Sequence, residues 1–257
     1  MTYVIVCVTA FVASALTLFS GFGLGTVLLP AFAIYFPIEL AVAMTAIVHL
    51  LNNLFKFALL GRRADWPTVL RFGLPAIAAA FLGAWTLNLL SDLRPLATYN
   101  AFGREHHITP INLVIAALMI GFALLEMSHR AEQWKIPSRF LPLGGLLSGF
   151  FGGLSGHQGA LRSAFLLKTG LNKEAYIATG IVIACMIDVA RLIVYASRFA
   201  VDGMGEQKWL IAAATLAAFA GALLGMRLLP KVTLRHIRVL VAVLLVVIAI
   251  ALGAGLI

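Results

Sequence analysis

Charged residues, and acidic residues above all, are scarce in this sequence. Only 11% of the 257 residues are charged and ten are Asp or Glu, whereas 62% are hydrophobic. A soluble domain of ordinary composition carries far more charge. The apolar runs are continuous over lengths that suit transmembrane helices. The sequence therefore predicts an all-α polytopic membrane protein that has the lipid bilayer as a partner.

Cysteine and extramembrane sequence are also sparse. Cys7 and Cys185 both lie in apolar runs, so we expect free thiols and neither a disulfide nor a metal site. No Lys or Arg precedes Lys56, whereas a secretory signal begins with basic residues, so residues 1–20 are expected to be retained. No loop is long enough for a second domain. The net charge of +9 comes from Lys and Arg in short loops, which is typical of membrane topology and disfavours a nucleic-acid partner.

Glycine, by contrast, is concentrated where apolar runs break. Within Phe140–Gly170, seven glycines crowd about sixteen residues and separate two short apolar arms. A helix of about a dozen residues rises roughly 18 Å, well short of the ~30 Å hydrocarbon core. The pattern predicts a re-entrant pair of half-helices, whose break must be buried in protein or line a wet cavity. The amides that open the second half-helix would favour an anion.

The chain repeats this organisation. Residues 35–48 align without gaps on 169–182 with four identities, and Ser-Gly-Phe with a glycine cluster precedes each block. We therefore predict two repeats, each a glycine-broken re-entrant hairpin followed by three transmembrane helices. The predicted bounds are 1–128 for the first repeat (broken segment 3–36, helices 38–60, 67–90 and 110–127), 129–139 for a cytoplasmic linker, and 140–257 for the second repeat (broken segment 140–169, helices 174–197, 208–229 and 236–257).

The distribution of Lys and Arg indicates that each broken segment enters and leaves the membrane on the same side. If each broken segment spanned once, seven basic residues would face one side and eight the other. With two re-entrant segments, four face one side and eleven face the other: Arg62, Arg63, Arg130, Lys135, Arg139, Lys168, Lys173, Arg227, Lys231, Arg235 and Arg238. Cytoplasmic loops carry the excess of Lys and Arg, so both termini are predicted to be extracytoplasmic and the second repeat inverted, a transporter design. The first arm, 3–20, is long enough to cross, which leaves a spanning first segment open.

Two glycine-rich motifs resemble those of a known family. SGFGLGTVLLPAFAIYF and SGFFGGLSGHQG are similar to the two motifs of the TauE/SafE family of sulfite exporters, and the resemblance covers nearly the whole chain. It implies a multi-pass transporter of the cell (inner) membrane, with no enzymatic activity and no cofactor. Its substrates would be sulfite, sulfonates or related small organosulfur anions, exported through a site formed by the two hairpins. The family pattern is altered at the second break, where residues 155–159 read SGHQG. A homodimer is left open.

Candidate substrate-binding residues lie at the breaks and on the helices beside them. Thr45, His49, Asn52, Asn53 and Lys56 share one face of helix 38–60, which indicates either a cavity wall or interhelical hydrogen bonding. Lys56 lies near the inner end of this helix and could instead snorkel. The residues expected to contact the substrate are Ser20, Gly23, Gly25, Thr26, His49, Asn52, Asn53, Ser155, Gly156, His157, Gln158, Arg162, Asp188 and Arg191.

Arg162 follows Gln158 by one turn and would offer paired donors to an oxyanion. The structural alternative is a salt bridge between Arg162 and Asp188. Asp188 and Arg191, spaced i, i+3, would equally neutralise each other. His157, at the break itself, would either carry a proton or bond to the backbone.

Two other function classes match parts of the pattern. Residues 153–156 read GLSG, the GxSG motif of rhomboid-type intramembrane serine proteases, in which the serine needs a base on a neighbouring helix. After Ser155 the remaining histidines are His157, too close along the chain to act freely, and His236, in a basic loop. A non-transporting membrane scaffold would not need two broken hairpins with polar faces. The sequence therefore favours a transporter.

Overall fold

The computed structural model of this chain consists mainly of α-helices. It describes residues 1–20, 24–101, 103–127, 136–167, 169–199, 204–228 and 235–257. Within these ranges there are ten α-helices: α1 (Thr2–Ser20), α2 (Leu24–Ala33), α3 (Ile38–Leu60), α4 (Trp66–Ser91), α5 (Pro110–Met127), α6 (Leu141–Ser155), α7 (Gly159–Leu166), α8 (Lys173–Phe199), α9 (Lys208–Leu228) and α10 (Arg235–Gly253).

Helix length separates spanning helices from broken ones. In the described ranges four helices are long and apolar enough to cross a membrane, and they correspond to α3, α4, α8 and α9. The predicted all-α membrane class is therefore confirmed. By contrast, α2 has 10 residues and α7 has 8, so neither can cross a ~30 Å hydrocarbon core alone.

The second broken segment folds back on itself. Gly156 ends α6 in the left-handed conformation, at φ 81°, which glycine adopts without a steric penalty. α7 then runs back along α6, since Gly152 lies beside Gln158 and Gly144 lies against the ring of Phe165. The two arms therefore form an antiparallel pair, with the break at its tip.

Glycines bring α6 into backbone contact with α4. Three glycines spaced by four residues each face a carbonyl group of α4: Gly145 faces Phe72, Gly149 faces Ala76 and Gly153 faces Ala80. A methyl group at any of these glycines would collide with the α4 backbone. Small residues permit such close approach of helices in membranes. Both residue numbers rise together along the contact, so α4 and α6 are parallel.

The other pairings exchange partners between the two halves. Gly221 and Gly225 of α9 face the carbonyl groups of Phe11 and Ala15 of α1, so α1 and α9 are also parallel. α3 packs on α8, and α5 packs on α10. If each helix of one half is matched in order to a helix of the other, the α1–α9 contact corresponds to the α6–α4 contact. A two-fold relation between the halves would produce this exchange, and the inverted repeat itself stays a prediction.

One face of the molecule carries the connections 61–65 and 169–172. There the backbone N–H of Asp65 donates to Thr179 Oγ1 over 2.9 Å, and Arg63 forms an ion pair with Glu174. The end of α3 therefore lies beside the start of α8, and these helices are antiparallel. α6 is parallel to α4, so it also starts on this face, called the linker face below.

A β-hairpin marks the opposite face and was not predicted from the sequence. Strand β1 (Ala97–Ala101) pairs antiparallel with β2 (Arg104–Ile108). The C-terminus docks on it, since Tyr99 Oη donates to the Ala254 carbonyl over 2.6 Å and His106 Nδ1 lies 3.0 Å from the Gly255 carbonyl. α9 begins at this face, and α1 runs parallel to α9, so α1 also begins there. Both termini therefore lie on the β-hairpin face.

The prediction that this face lies outside the cytoplasm can be tested directly. Because the predicted basic excess lies on the linker face, we expect a fluorescent protein that matures only in the cytoplasm to stay dark when fused after Ile257. The same reporter inserted between Arg63 and Ala64 should be bright. A bright C-terminal fusion together with a dark loop insertion would reverse the assigned orientation.

Candidate functional site

The start of α2 meets the second break beside α3. A Cβ built on Gly25, at the start of α2, would stand 3.3 Å from the Gly156 carbonyl oxygen. It would also stand 3.7 Å from Thr45 Cγ2 and 4.0 Å from His49 Cδ2. Thr45 and His49 are buried. We call the meeting point of Gly25, Thr45, His49 and Gly156 the junction.

A buried charge cluster lies beside the junction and is centred on Asp188 of α8. Its Oδ1 accepts hydrogen bonds from Gln158 Nε2 and Arg191 Nε, each over 3.0 Å, and Arg191 Nη2 lies 2.7 Å away. Its Oδ2 lies 2.6 Å from His49 Nδ1. Asp188 and Arg191 have no exposed surface. The pairing of Asp188 with Arg191 is thus the i, i+3 alternative raised by the sequence.

Side chains from the face of α8 that carries Asp188 also cover the end of α6. The last carbonyl groups of a helix lack intrahelical partners, and at this break they lie inside the protein. Arg191 Nη1 donates to the Gly152 carbonyl over 3.3 Å, and Tyr195 Oη donates to the Gly153 carbonyl. Gly156 leaves room for the guanidinium, since a Cβ there would stand 2.8 Å from Arg191 Nη1. Gly156 is therefore needed both for its backbone conformation and for its size.

Arg162 is joined to this cluster indirectly. Its Nη1 donates to Gln158 Oε1 over 2.9 Å, and Gln158 in turn donates to Asp188. Among the described residues Arg162 has no carboxylate within ion-pair distance, so the direct salt bridge to Asp188 offered by the sequence is wrong. The reason is that the two carboxylate oxygens of Asp188 are already paired with His49 and Arg191.

The polar face of α3 is buried along its whole length. Asn53 Nδ2 lies 3.2 Å from His49 Nδ1. In the amide orientation that satisfies both ends of Asn52, its nitrogen donates to Ser14 Oγ over 3.1 Å and its oxygen accepts from Lys56 Nζ over 3.0 Å. Asn52 therefore joins α3 to α1, which is an interhelical role. Lys56 is 5% exposed and does not snorkel.

Three buried polar atoms near the break lack a hydrogen-bond partner in the part of the chain that the structure describes. They are Thr45 Oγ1, on a junction residue, His157 Nε2 and Arg191 Nη2, and the last of these is in ion-pair contact with Asp188. The His157 ring stacks on Phe122 with 5.4 Å between centroids, and its Nδ1 lies 3.0 Å from Ser155 Oγ. The single hydroxyl proton of Ser155 is donated to the Phe151 carbonyl, so His157 Nδ1 carries the ring proton and donates to Ser155 Oγ, which makes Nε2 of the neutral imidazole an acceptor.

Backbone donors are also available where α7 begins. The first intrahelical bond of α7 runs from Arg162 N to the Gln158 carbonyl over 3.1 Å. The amides of Gly159, Ala160 and Leu161 precede it and have no partner within the helix. The amides of Gly156 and Gln158 already donate to the carbonyls of Gly152 and Gly156. The helix start can therefore stabilise an anion through residues 159–161.

The contact between Ser155 and His157 bears on the serine protease alternative. The Ser155 hydroxyl donates to the Phe151 carbonyl over 3.0 Å, and Ser155 and His157 are each 1% exposed. The histidine comes from the same break rather than from a neighbouring helix. This pair therefore does not provide the separate base that the protease interpretation requires.

The structure also shows site residues that the sequence did not single out. Ser148 Oγ donates to the Gln158 carbonyl over 3.0 Å and so holds the break against α6. Tyr195 lies seven residues after Asp188 on the same helical face, a spacing that could have revealed it. Of the predicted contacts, Thr26 is buried in α2. Ser20 ends α1 without a described side chain, and Gly23 lies outside the described residues.

A separate groove on the outer surface has a different character. It lies between α3, α4 and α8 and is lined by apolar side chains such as Phe57, Phe81, Met186 and Ile193. An anion that leaves water needs hydrogen-bond donors or opposite charge, and this lining offers neither. The junction with its neighbouring cations is therefore the candidate anion site.

Comparison with known proteins agrees with the sequence motifs. The family profile described as Sulfite exporter TauE/SafE matches residues 6–252, nearly the whole chain. The search of curated proteins gave no match.

The ion pair between Asp188 and Arg191 predicts which double substitution rescues folding. Asp188→Leu leaves a buried guanidinium without a counter-charge, which typically costs about 3–5 kcal/mol. We expect a large loss of thermal stability in detergent, measured by size-exclusion chromatography after heating. Adding Arg191→Leu should recover most of the stability. Adding Arg162→Leu serves as the matched control and should recover none, and equal rescue by both would disprove the assignment.

Proposed function

Since this chain belongs to the sulfite exporter family TauE/SafE, we propose that it exports small organosulfur anions through a site at the junction. The family is one of membrane anion transporters, and the helices long enough to span a bilayer agree with that role. The proposed substrates are sulfite, sulfonates and related oxyanions. The proposed location is the cell (inner) membrane, with both termini outside the cytoplasm.

The observation that carries this proposal is the set of unpartnered donors at the meeting of the breaks. Buried polar atoms in proteins nearly always have partners, yet Thr45 Oγ1 has none among the described residues. A hydroxyl and the amides that open α7 are both suited to oxyanion oxygens. A sulfite or sulfonate group would offer them several acceptors at once.

Arg162 supplies the positive charge in this proposal. A guanidinium has five N–H donors in a planar fork, and one of its nitrogens is oriented by Gln158. The remaining donors are free of any carboxylate among the described residues. Arg191, by contrast, is committed to Asp188 and to the end of α6. We therefore assign substrate contact to Arg162 and a positioning role to Asp188 and Arg191.

The direction of transport follows from the charge of the substrate. A negative-inside membrane potential favours exit of an anion by about 2.3 kcal/mol per charge per 100 mV. An inverted repeat, supported by the exchange of helix partners described above, would place the junction near the bilayer midplane with access from either side. Export could then proceed by alternating exposure of one site.

The role of Arg162 can be tested by anion binding. Arg162→Gln removes one or two charge-assisted hydrogen bonds of about 1.5–3 kcal/mol each, so sulfite affinity should fall by roughly one to four decades. Arg162→Lys keeps the charge but loses the fork, and should recover part of the affinity. Binding is measured by calorimetry on purified protein.

Arg63→Gln is the control for this experiment, because Arg63 is exposed and paired with Glu174 on the linker face. It should leave sulfite affinity within about twofold, since exposed ion pairs contribute little. A folded Arg162→Gln protein with wild-type affinity would remove Arg162 from the proposed site.

A further inference from the structure

The apolar groove between α3, α4 and α8 has a volume of about 370 Å³ and runs inward from the linker face. On α4 its lining extends from Trp66, the first residue of the helix, to Phe81, about 22 Å along the axis. On α8 it extends from Val182 to Ile193, about 16 Å. One leaflet of a bilayer contributes about 15 Å of hydrocarbon, half of the ~30 Å core. The groove is therefore long enough for one lipid acyl chain that enters at the linker face.

The side chains that line this groove stay exposed although they are large and apolar. Phe57, Trp66, Val189 and Ile193 are each 40% exposed or more. The helices α3, α4 and α8 are long and apolar enough to cross a membrane, so this face meets hydrocarbon rather than water. A concave apolar surface offers water no hydrogen-bond partners, and an acyl chain is the occupant that suits its chemistry.

The end of the groove at the linker face carries positive charge. The ring of Phe57 lies directly against Gly61, the first residue of the turn 61–63 between α3 and α4. This turn carries Arg62 and Arg63. Arg63 is paired with Glu174, whereas Arg62 is exposed and has no carboxylate within ion-pair distance among the described residues. A guanidinium is thus available beside the point where an acyl chain would enter.

We propose that this groove binds an anionic phospholipid, with one acyl chain along α4 and α8 and the phosphate against Arg62. Basic residues beside a groove between membrane helices recognise anionic headgroups, and Trp66 lies at the depth that suits an interfacial aromatic ring. A two-fold dimer through the same face would put Arg62 of both copies on one side of the membrane, where like charges repel. A lipid phosphate instead supplies the opposite charge. This inference is independent of the anion site at the junction.

The test compares two lipids with the same acyl chains, dioleoyl phosphatidylglycerol and dioleoyl phosphatidylcholine. Their binding to the full-length protein in detergent is measured by native mass spectrometry at a series of lipid concentrations. The wild-type protein should bind phosphatidylglycerol about fivefold more tightly, the contribution of one basic residue near an anionic lipid. Arg62→Gln should abolish this preference and leave phosphatidylcholine binding unchanged.

Arg71→Gln is the matched control for the charge. Arg71 is also an exposed arginine near the linker face, but it follows Trp66 by five residues and so lies about 140° around α4 from it. This substitution should keep the preference for phosphatidylglycerol. Both arginines are on the surface, so neither change should affect folding.

Filling the groove tests the site of the acyl chain. Val189→Phe places a ring in the groove and should weaken the binding of both lipids by about tenfold, because apolar contact is lost along the chain. Val243→Phe makes the same change on an exposed residue of α10 and should weaken neither.

Three results would overturn the inference. These are equal binding of the two lipids by the wild type, a preference that survives Arg62→Gln, and lipid binding that is unchanged by Val189→Phe. A lipid-free dimer that Val189→Phe dissociates would assign the groove to a second copy of the chain and would also overturn it. Sulfite binding should be intact in all four variants, so failure of this inference leaves the proposed function standing.

Discussion

The structure depends on covering backbone groups where two helices break inside the apolar part of the protein. Hydrocarbon cannot satisfy free N–H and C=O groups, so such breaks must be buried in protein or face water. At the second break the carbonyls of Gly152 and Gly153 receive donors from Arg191 and Tyr195. Glycines on α6 bring α4 into backbone contact and close the other side. The broken hairpin is stable at this depth because α4 and α8 enclose it.

Covering the break in this way determines the local electrostatics. Arg191 donates a hydrogen bond to the end of α6. Its buried guanidinium requires a counter-charge, which Asp188 supplies. His49 and Gln158 also contact the Asp188 carboxylate, and these contacts link α3 and the start of α7 to α8. Once Asp188 is committed, Arg162 is left with the neutral oxygen of Gln158 as its partner. The positive charge that we assign to anion binding is thus a consequence of how the break is stabilised.

Much of this arrangement could be predicted from the sequence, because helix length and glycine clustering are local signals. The bounds of α3 and α5, the break at Gly156 and the polar face of α3 all follow from spacing. The partner of Asp188 could not be chosen, since Arg162 and Arg191 are both within reach until the packing of α7 on α8 is known. The β-hairpin at 97–108 was missed because its strands are short and partly exposed and depend on the C-terminus for contacts.

The central claim is that an anion binds where the two breaks meet. Crystals of the protein soaked with selenite, the selenium analogue of sulfite, would locate the bound anion through the anomalous signal of selenium. The account predicts a peak within hydrogen-bond distance of Thr45 Oγ1, the amides of residues 159–161 or Arg162. Peaks confined to the loop arginines of the linker face, with none at the junction, would contradict it.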